Sequence, residues 1–305
     1  MIEAIRKYNH VCVLKGGWSN EREVSLVSGA AIALALRNVG YTVTEIDVDH
    51  DIYNVLKTLN PEAVFNGLHG TWGEDGCVQG ILETMKIPYT HSGVKSSALA
   101  MDKVLSKKLF ASIGIKCAPD KIVSTSDLYQ NDPMTRPFVV KPNNDGSSVG
   151  VVIVCDGDEI SPDHEGPWLN SDTLMVEKYI PGRELTVSVM GKQALCVTEL
   201  KPKQGFYDYK AKYQDGMTDH ILPADLSDSE NLAIMDMAVQ AHDILGCRGV
   251  SRSDFRMDGD DIYILETNTQ PGMTPLSLVP EQAKYIGMDF DHLVEWMMED
   301  ASCER

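Results

Sequence analysis

Residues 10–48 read HVCVLKGGWSNEREVSLVSGAAIALALRNVGYTVTEIDV, and this stretch decides the fold class. Val11–Lys15 is a strand, and Glu23–Val39 reads as a helix that stops at Gly40, a natural C-cap. Thr42–Asp47 is a second strand. Working outward, Ile52–Leu59 is a helix, Ala63–Asn66 a third strand and Cys77–Met85 another helix. Such strand–helix alternation argues for a parallel sheet with helices on both faces. The segment from Pro88 to Gly93 reads as a short strand and turn that closes this unit, with a boundary near residue 96.

The middle of the chain changes character. Asp102–Ile113 reads as a helix, followed by strands at Phe138–Lys141, Val149–Val154 and Thr173–Glu177, with Pro162–Pro167 as a surface loop. From Arg183 a longer antiparallel pattern begins, in which Leu185–Met190 and Leu195–Leu200 flank a Gly191-Lys192 turn. A helix at Ser229–Leu245, two strands around Asp258-Gly259-Asp260, and helices near Pro280–Gly287 and Phe290–Met298 complete the pattern. The expected class is α/β and α+β, a Rossmann-like parallel-sheet unit followed by an α+β half.

Charge narrows the function. The 305 residues carry 45 Asp and Glu against 27 Lys and Arg, a net charge of −18. Phosphate contacts along a nucleic acid need clustered basic residues, so a large nucleic-acid footprint is disfavoured, as is an anionic membrane surface. An apolar fraction of 43% with 24% charged residues is that of a chain with a full core. No uninterrupted apolar run approaches the ~18 residues of a membrane span, and the start of the chain shows no signal-peptide pattern. Cysteines at 12, 77, 117, 155, 196, 247 and 303 include no CxxC spacing, so reduced thiols in a cytoplasmic protein are expected.

Several segments carry chemistry. Ser253–Met257 and Ile262–Thr267 form a hairpin about an Asp-Gly turn, and Glu266 and Asn268, two apart, share a strand face. Asp254 on the partner strand could lie opposite them. Two carboxylates and an amide oxygen suit Mg²⁺ bridging phosphates, and Arg252 beside them could clamp oxyanion charge. An acidic hairpin with solvated edges would show the same spacing. Lys141 to Gly150 is a strand ending in lysine and then a small-residue turn, which could cradle phosphate or be an ordinary hairpin loop; it is not a Walker A loop. Gly16-Gly17 leads to Glu21 and Glu23 at the edge of the sheet where α/β folds bind ligands. An acid there could bind an ammonium group, or simply complement the helix dipole. His69 to Gly76 is a glycine-heavy turn at the same edge, and a lone histidine there is more often structural than catalytic. Gly205 to Tyr213 interleaves three tyrosines with two lysines and reads as an active-site lid.

Six segments, GGWSNEREVSLVSG, LHGTWGEDG, SGVKSSALAMDK, VKPNNDGSSVG, FYDYKAKY and ETNTQPGMTPLSLVPEQA, closely resemble the motifs of the D-alanine–D-alanine ligase family of ATP-grasp enzymes. They run in order from residue 16 to residue 283, most of the chain. The resemblance departs at two places. Ser253 stands where the family usually has a small aliphatic residue, and Thr267 where it usually has Ala or Val. Both side chains should point away from a ligand face shared by Arg252, Asp254, Glu266 and Asn268.

The resemblance implies a Rossmann-like domain over residues 1–96, a central ATP-grasp lobe over 97–182 and a C-terminal lobe over 183–305. ATP would lie between the two lobes. Its phosphates would meet Lys103, Lys141, Ser148 and Lys212; its adenine would meet the strand Glu177, Lys178, Tyr179 and Ile180; its ribose would meet Glu184. Asp254, Glu266 and Asn268 would hold two Mg²⁺ or Mn²⁺ ions, with a monovalent cation as a further candidate. The first D-alanine would pair with Glu21 near His69, and Glu21, Ser147 and Tyr213 would form a hydrogen-bonded set. Ser277 and the backbone of Leu278 would hold the second carboxylate, and Arg252 with the Gly272 N–H would form the oxyanion site. The implied activity is ATP-dependent joining of two D-alanines through an acyl phosphate for peptidoglycan synthesis, by a homodimer. A ligase for D-lactate or D-serine, or a non-catalytic nucleotide binder on the same fold, are the alternatives. Tyr213 in the lid speaks for the dipeptide.

Overall fold

The computed structural model of the chain describes residues 6–144, 150–160, 168, 172–203 and 216–303. Its first unit runs β1 (His10–Gly16), α1 (Arg22–Asn38), β2 (Thr42–Val48), α2 (Ile52–Leu59), β3 (Ala63–Asn66) and α3 (Cys77–Met85). The three strands are parallel in the order β2-β1-β3. Alternation along β1 explains why helices cover both faces. Cys12 and Leu14 point into a core with Ile52 and Leu56 of α2 and Leu82 of α3. Val11 and Val13 point the other way, into a core with Ile32 and Leu36 of α1. Gly40, at φ 93°, ends α1 as its position required, and its N–H donates to the Arg37 carbonyl.

That second core is completed from the far end of the chain. Leu293, Val294 and Met297 of the C-terminal helix Phe290–Asp300 pack into it. Tyr89 bridges in parallel to Val64 and antiparallel to Ser302, so the expected strand near residue 89 reduces to bridges that seal the unit. Arg248 donates to the carbonyls of both Tyr89 and Ser302, at 3.0 and 2.9 Å.

Two helices follow instead of one. α4 (Val94–Met101) was not expected from the sequence because it is short, with Ser96 and Ser97 on its buried side. Asp102 ends it and caps α5 (Lys103–Ser112), accepting from the Leu105 N–H. β4 (Asp120–Ser124), the one-turn α6 (Thr125–Leu128), β5 (Phe138–Lys141), β6 (Val152–Val154) and β7 (Thr173–Lys178) form an antiparallel sheet in the order β4-β7-β5-β6. Phe138, Val140, Leu174 and Val176 make its core. The expected strand at Val149–Val154 appears only as β6, and its first residue, like the loop expected at Pro162–Pro167, lies outside the described residues.

The last sheet is antiparallel in the order β10-β9-β8-β11-β12, from β8 (Arg183–Met190), β9 (Gln193–Pro202), β10 (Thr218–Ile221), β11 (Val250–Asp258) and β12 (Asp261–Asn268). Leu185, Val187, Phe255, Met257 and Ile264 face the long helix Asp228–Leu245, burying Ile234, Ala238 and Leu245. A capping box between Ser227 and Glu230 starts that helix, and Gly246, at φ 71°, stops it.

Candidate active site

Parity sets the hairpin. On β11 the odd residues Ser253, Phe255 and Met257 are buried under the long helix, so Arg252, Asp254 and Arg256 face the opposite side. Arg252 pairs with Asn268 and Asp254 with Glu266 across the strands, which gathers all four on one face. A β-bulge makes this so. Phe255 pairs with Ile264, leaving Leu265 as the extra residue. Ile264 can therefore enter the core while Glu266, two residues later, joins the polar face. Ser253 and Thr267 are paired on the buried side, their hydroxyls 2.8 Å apart, so these departures from the family pattern point away from the polar face.

Arg252 grips Asp254 with both ends of its fork, Nε to Oδ1 at 2.9 Å and a terminal nitrogen to Oδ2 at 2.8 Å. Thr186 on β8 donates to the same Oδ1 at 2.6 Å. Lys103 Nζ, nearly buried, lies 3.7 Å from Glu266. Asp254, Glu266 and Asn268 thus offer hard oxygens on one face, a set suited to Mg²⁺ that also keeps waters and phosphate oxygens. Among the described residues no cluster of three or more His, Cys, Asp or Glu is arranged to hold a metal.

A second group lies at the end of the four-stranded sheet. Lys141 Nζ is 2.6 Å from one oxygen of Glu177, and Lys107 is 3.0 Å from the other. Burial would raise the Glu177 carboxyl, but Lys141 and Lys107 outweigh it and hold the group below the usual carboxylate range. The backbone N–H of Lys103 reaches the Asn143 carbonyl at 3.4 Å, and that of Val104 reaches the Asn143 side chain at 3.1 Å, tying α5 to the end of β5. Farther along, Arg256 donates to Glu184 at 3.0 Å, to the Ile180 carbonyl and to the Tyr179 hydroxyl. Lys178 is exposed at the end of β7.

The third group comes from the parallel sheet. Glu21 is buried at the N-terminus of α1, and its carboxylate lies so close over Gly70 that a Cβ there would be 2.6 Å from it. Ser19 ties the two loops, donating to the His69 carbonyl and accepting from the Glu21 N–H. His69 is buried between Glu74 at 3.1 Å and Ser28 at 3.1 Å. Burial would lower its imidazole, but Glu74 and Glu21 raise it above the usual histidine value. Burial and the nearby Glu21 also push Glu74 upward. The loop after β12 docks on these residues: Asn66 donates to Gln270 at 2.7 Å, Gln270 donates to the Leu68 carbonyl, and the Met273 N–H reaches Ser28. Gly272 lies against Ser277, which precedes the helix Leu278–Tyr285 and whose hydroxyl accepts from the Thr274 N–H at 2.9 Å.

Sequence reasoning missed Lys107, Arg256, Thr186, Glu74 and Gln270. Lys107 had a signal four residues after Lys103, and Arg256 one two residues after Asp254; Thr186 and Gln270 had none. Ser147, Ser148, Lys212 and Tyr213 lie outside the described residues. Among the cysteines, burial pushes the Cys12 and Cys117 thiols up to about 11 and those of Cys196 and Cys247 up to about 12, unlike a reactive thiolate.

A parallel-sheet unit followed by two antiparallel sheets, with Lys103 set against the carboxylate–amide face of the hairpin, is the architecture of an ATP-grasp protein. The family models described as the N-terminus and C-terminus of D-Ala–D-Ala ligase match residues 52–92 and 109–299. A D-alanine–D-alanine ligase of Erythrobacter litoralis is 55% identical over 300 residues, covering 96% of this chain and 93% of that one. One from Novosphingobium aromaticivorans is 52% identical, covering 96% of each. A crystal structure of the Bacillus anthracis ligase complexed with ATP superposes at a TM-score of 0.82 with 31% identity, covering 96% of both chains. The chain belongs to the D-alanine–D-alanine ligase family.

Proposed function

We propose that this chain joins two D-alanine molecules into D-alanyl-D-alanine, converting ATP to ADP and phosphate, as a step of peptidoglycan synthesis. The observation that carries this reading is the cross-strand quartet Arg252, Asp254, Glu266 and Asn268, facing the lysine-bearing α5 on one side and the Gln270 loop on the other. The domains are taken as 1–96, 97–182 and 183–305, and the working protein as a cytoplasmic homodimer. Among the described residues no helix is long and apolar enough to cross a membrane.

ATP lies between the two antiparallel lobes. Lys103 and Lys141, with Ser148 and Lys212, meet its phosphates; Glu177 to Ile180 border the adenine and Glu184 the ribose. Asp254, Glu266 and Asn268 would hold two Mg²⁺ or Mn²⁺ ions, which when bound neutralise phosphate charge and align the transferring group. A monovalent cation is a further candidate cofactor. Glu21 takes the ammonium group of the first D-alanine, with His69 beside it. The carboxylate of this D-alanine attacks the γ-phosphorus, and the acyl phosphate so formed is attacked by the amine of the second. Arg252 and the Gly272 N–H meet the tetrahedral oxyanion, and Ser277 and the Leu278 N–H hold the second carboxylate. Phosphate then leaves. Acyl phosphates hydrolyse, so water must be kept out, a role assigned to Phe206 to Tyr213, and Tyr213, Ser147 and Glu21 would form a hydrogen-bonded set.

The test is phosphate release from ATP with D-alanine, D-serine, D-lactate and L-alanine supplied in turn. Release that requires D-alanine, together with dipeptide in the product, is expected. Release only when D-lactate accompanies D-alanine would replace the amide with an ester, and no release with any of them would leave a nucleotide binder.

A further inference from the structure

Lys107 takes part in none of these steps, yet it is among the most fully engaged side chains in the protein. Its side chain is 5% exposed. Its partners are Glu177 at 3.0 Å, Asp120 at 2.7 Å and the Ala118 carbonyl at 2.8 Å, which accounts for all three N–H groups. A buried ammonium is costly unless paired and hydrogen-bonded, so this geometry marks an anchor with little freedom to move.

What it anchors is specific. The second oxygen of Glu177 holds Lys141 at 2.6 Å, so Lys107 and Lys141 share one carboxylate. Lys107 also lies one turn along α5 from Lys103, on the same buried face. Lys103 reaches the hairpin at Glu266, whereas Lys107 reaches β7 at Glu177 and β4 at Asp120. One helix thus braces the two antiparallel sheets through two lysines on successive turns. Like charges one turn apart repel, and the arrangement stands because carboxylates from different sheets meet each of them.

We propose that Lys107 is a positioning residue for the nucleotide: by locking Glu177 and the first turns of α5 to the four-stranded sheet, it fixes the spacing between the ammonium groups of Lys103 and Lys141. This rests on the reading of ATP in that crevice. Without Lys107, Glu177 keeps one cationic partner instead of two and lies near an uncompensated Asp120. Lys141 is then drawn into a closed pair with Glu177 and away from phosphate, and α5 loses its tie to β4 and β7.

The experiment compares wild type, Lys107→Met, Lys107→Arg and the milder Asp120→Asn, which keeps the lysine and removes one partner. KM for ATP and for D-alanine are measured separately, and ADP binding with Mg²⁺ is followed by titration calorimetry on the folded protein. Lys107→Met should raise KM for ATP and Kd for ADP by about 10- to 100-fold, the usual range for a lost charged hydrogen bond. KM for D-alanine should stay within about twofold. Lys107→Arg should recover most of the loss, and Asp120→Asn should raise Kd for ADP by about three- to tenfold even if Lys107→Met does not fold. A lower melting temperature or kcat with KM for ATP and Kd for ADP unchanged in every variant would show a structural lysine and overturn the inference. Failure of the wild type to bind ADP would overturn the functional reading and this inference with it.

Discussion

The parallel sheet and the antiparallel hairpin place their polar residues by different routes. Glu21 and His69 sit in loops just past β1 and β3, at the edge of the parallel sheet where α/β folds bind ligands. Arg252, Asp254, Glu266 and Asn268 sit on the strands themselves, and only pairing register decides which face they occupy. The loop region depends on the order of elements, and the hairpin on a single-residue parity. The two also differ in charge. The end of the four-stranded sheet holds one carboxylate, Glu177, between two lysines, whereas the parallel-sheet end crowds Glu21 and Glu74 around one histidine.

The sharpest way to break this contrast is at the hairpin. Glu266→Gln keeps shape and removes charge, so turnover should fall by about 100-fold or more while the melting temperature changes little. Phosphate release and a thermal melt on the same sample decide it, and comparable modest losses in both would make the hairpin structural. Arg252→Lys comes next. It keeps the charge but loses the fork on Asp254, and kcat should drop by about 10- to 100-fold.

At the parallel-sheet end, Glu74→Gln should raise KM for D-alanine by about tenfold through His69, with KM for ATP unchanged. The His69 ring resonance followed by NMR should then titrate at lower pH than in wild type, because its largest raising partner is gone.

pH separates the two ends by sign. Glu177 is held below its unfolded value of ~4.3, so the stability it contributes is present above that pH and lost as pH falls through the depressed value. His69 is raised above its unfolded value of ~6.5, so its contribution is present below that pH and lost as pH rises through the raised value. Melting temperatures across pH should show Glu177→Gln flattening the acid limb and Glu74→Gln flattening the neutral one. A variant that flattened the opposite limb would reverse the electrostatic contrast. The smallest effect belongs to the hidden side of the hairpin. Replacing both partners at once, Ser253→Ala with Thr267→Val, should leave turnover within about twofold and cost under ~1 kcal/mol by denaturant titration, since neither hydroxyl is left unpaired.

The parallel unit was legible because its determinants are local. Apolar runs, Gly40 and the glycine turns set β1, α1 and β2 wherever the rest of the chain lies, and the loops past the strands followed. Glu266 and Asn268 were legible as candidates because residues two apart on a strand share a face, with Asp254 on the partner strand of the hairpin. Which face was not. Strict alternation along IYILETN would put Ile262, Ile264, Glu266 and Asn268 together, and only packing of Ile264 under the long helix forces the bulge at Leu265 that separates them. Lys107 was equally hidden, since a lysine four residues after another reads as a solvated helix face until Glu177 and Asp120, far apart in sequence, close around it. Local sequence set the strand and helix order of the first unit, the caps and the hairpin about Asp258-Gly259, because these act over a few neighbouring residues. The tertiary structure alone decided the register, the buried lysine anchor and the return of the C-terminal helix onto the first sheet, because each depends on burying apolar surface or charge against residues distant in the chain.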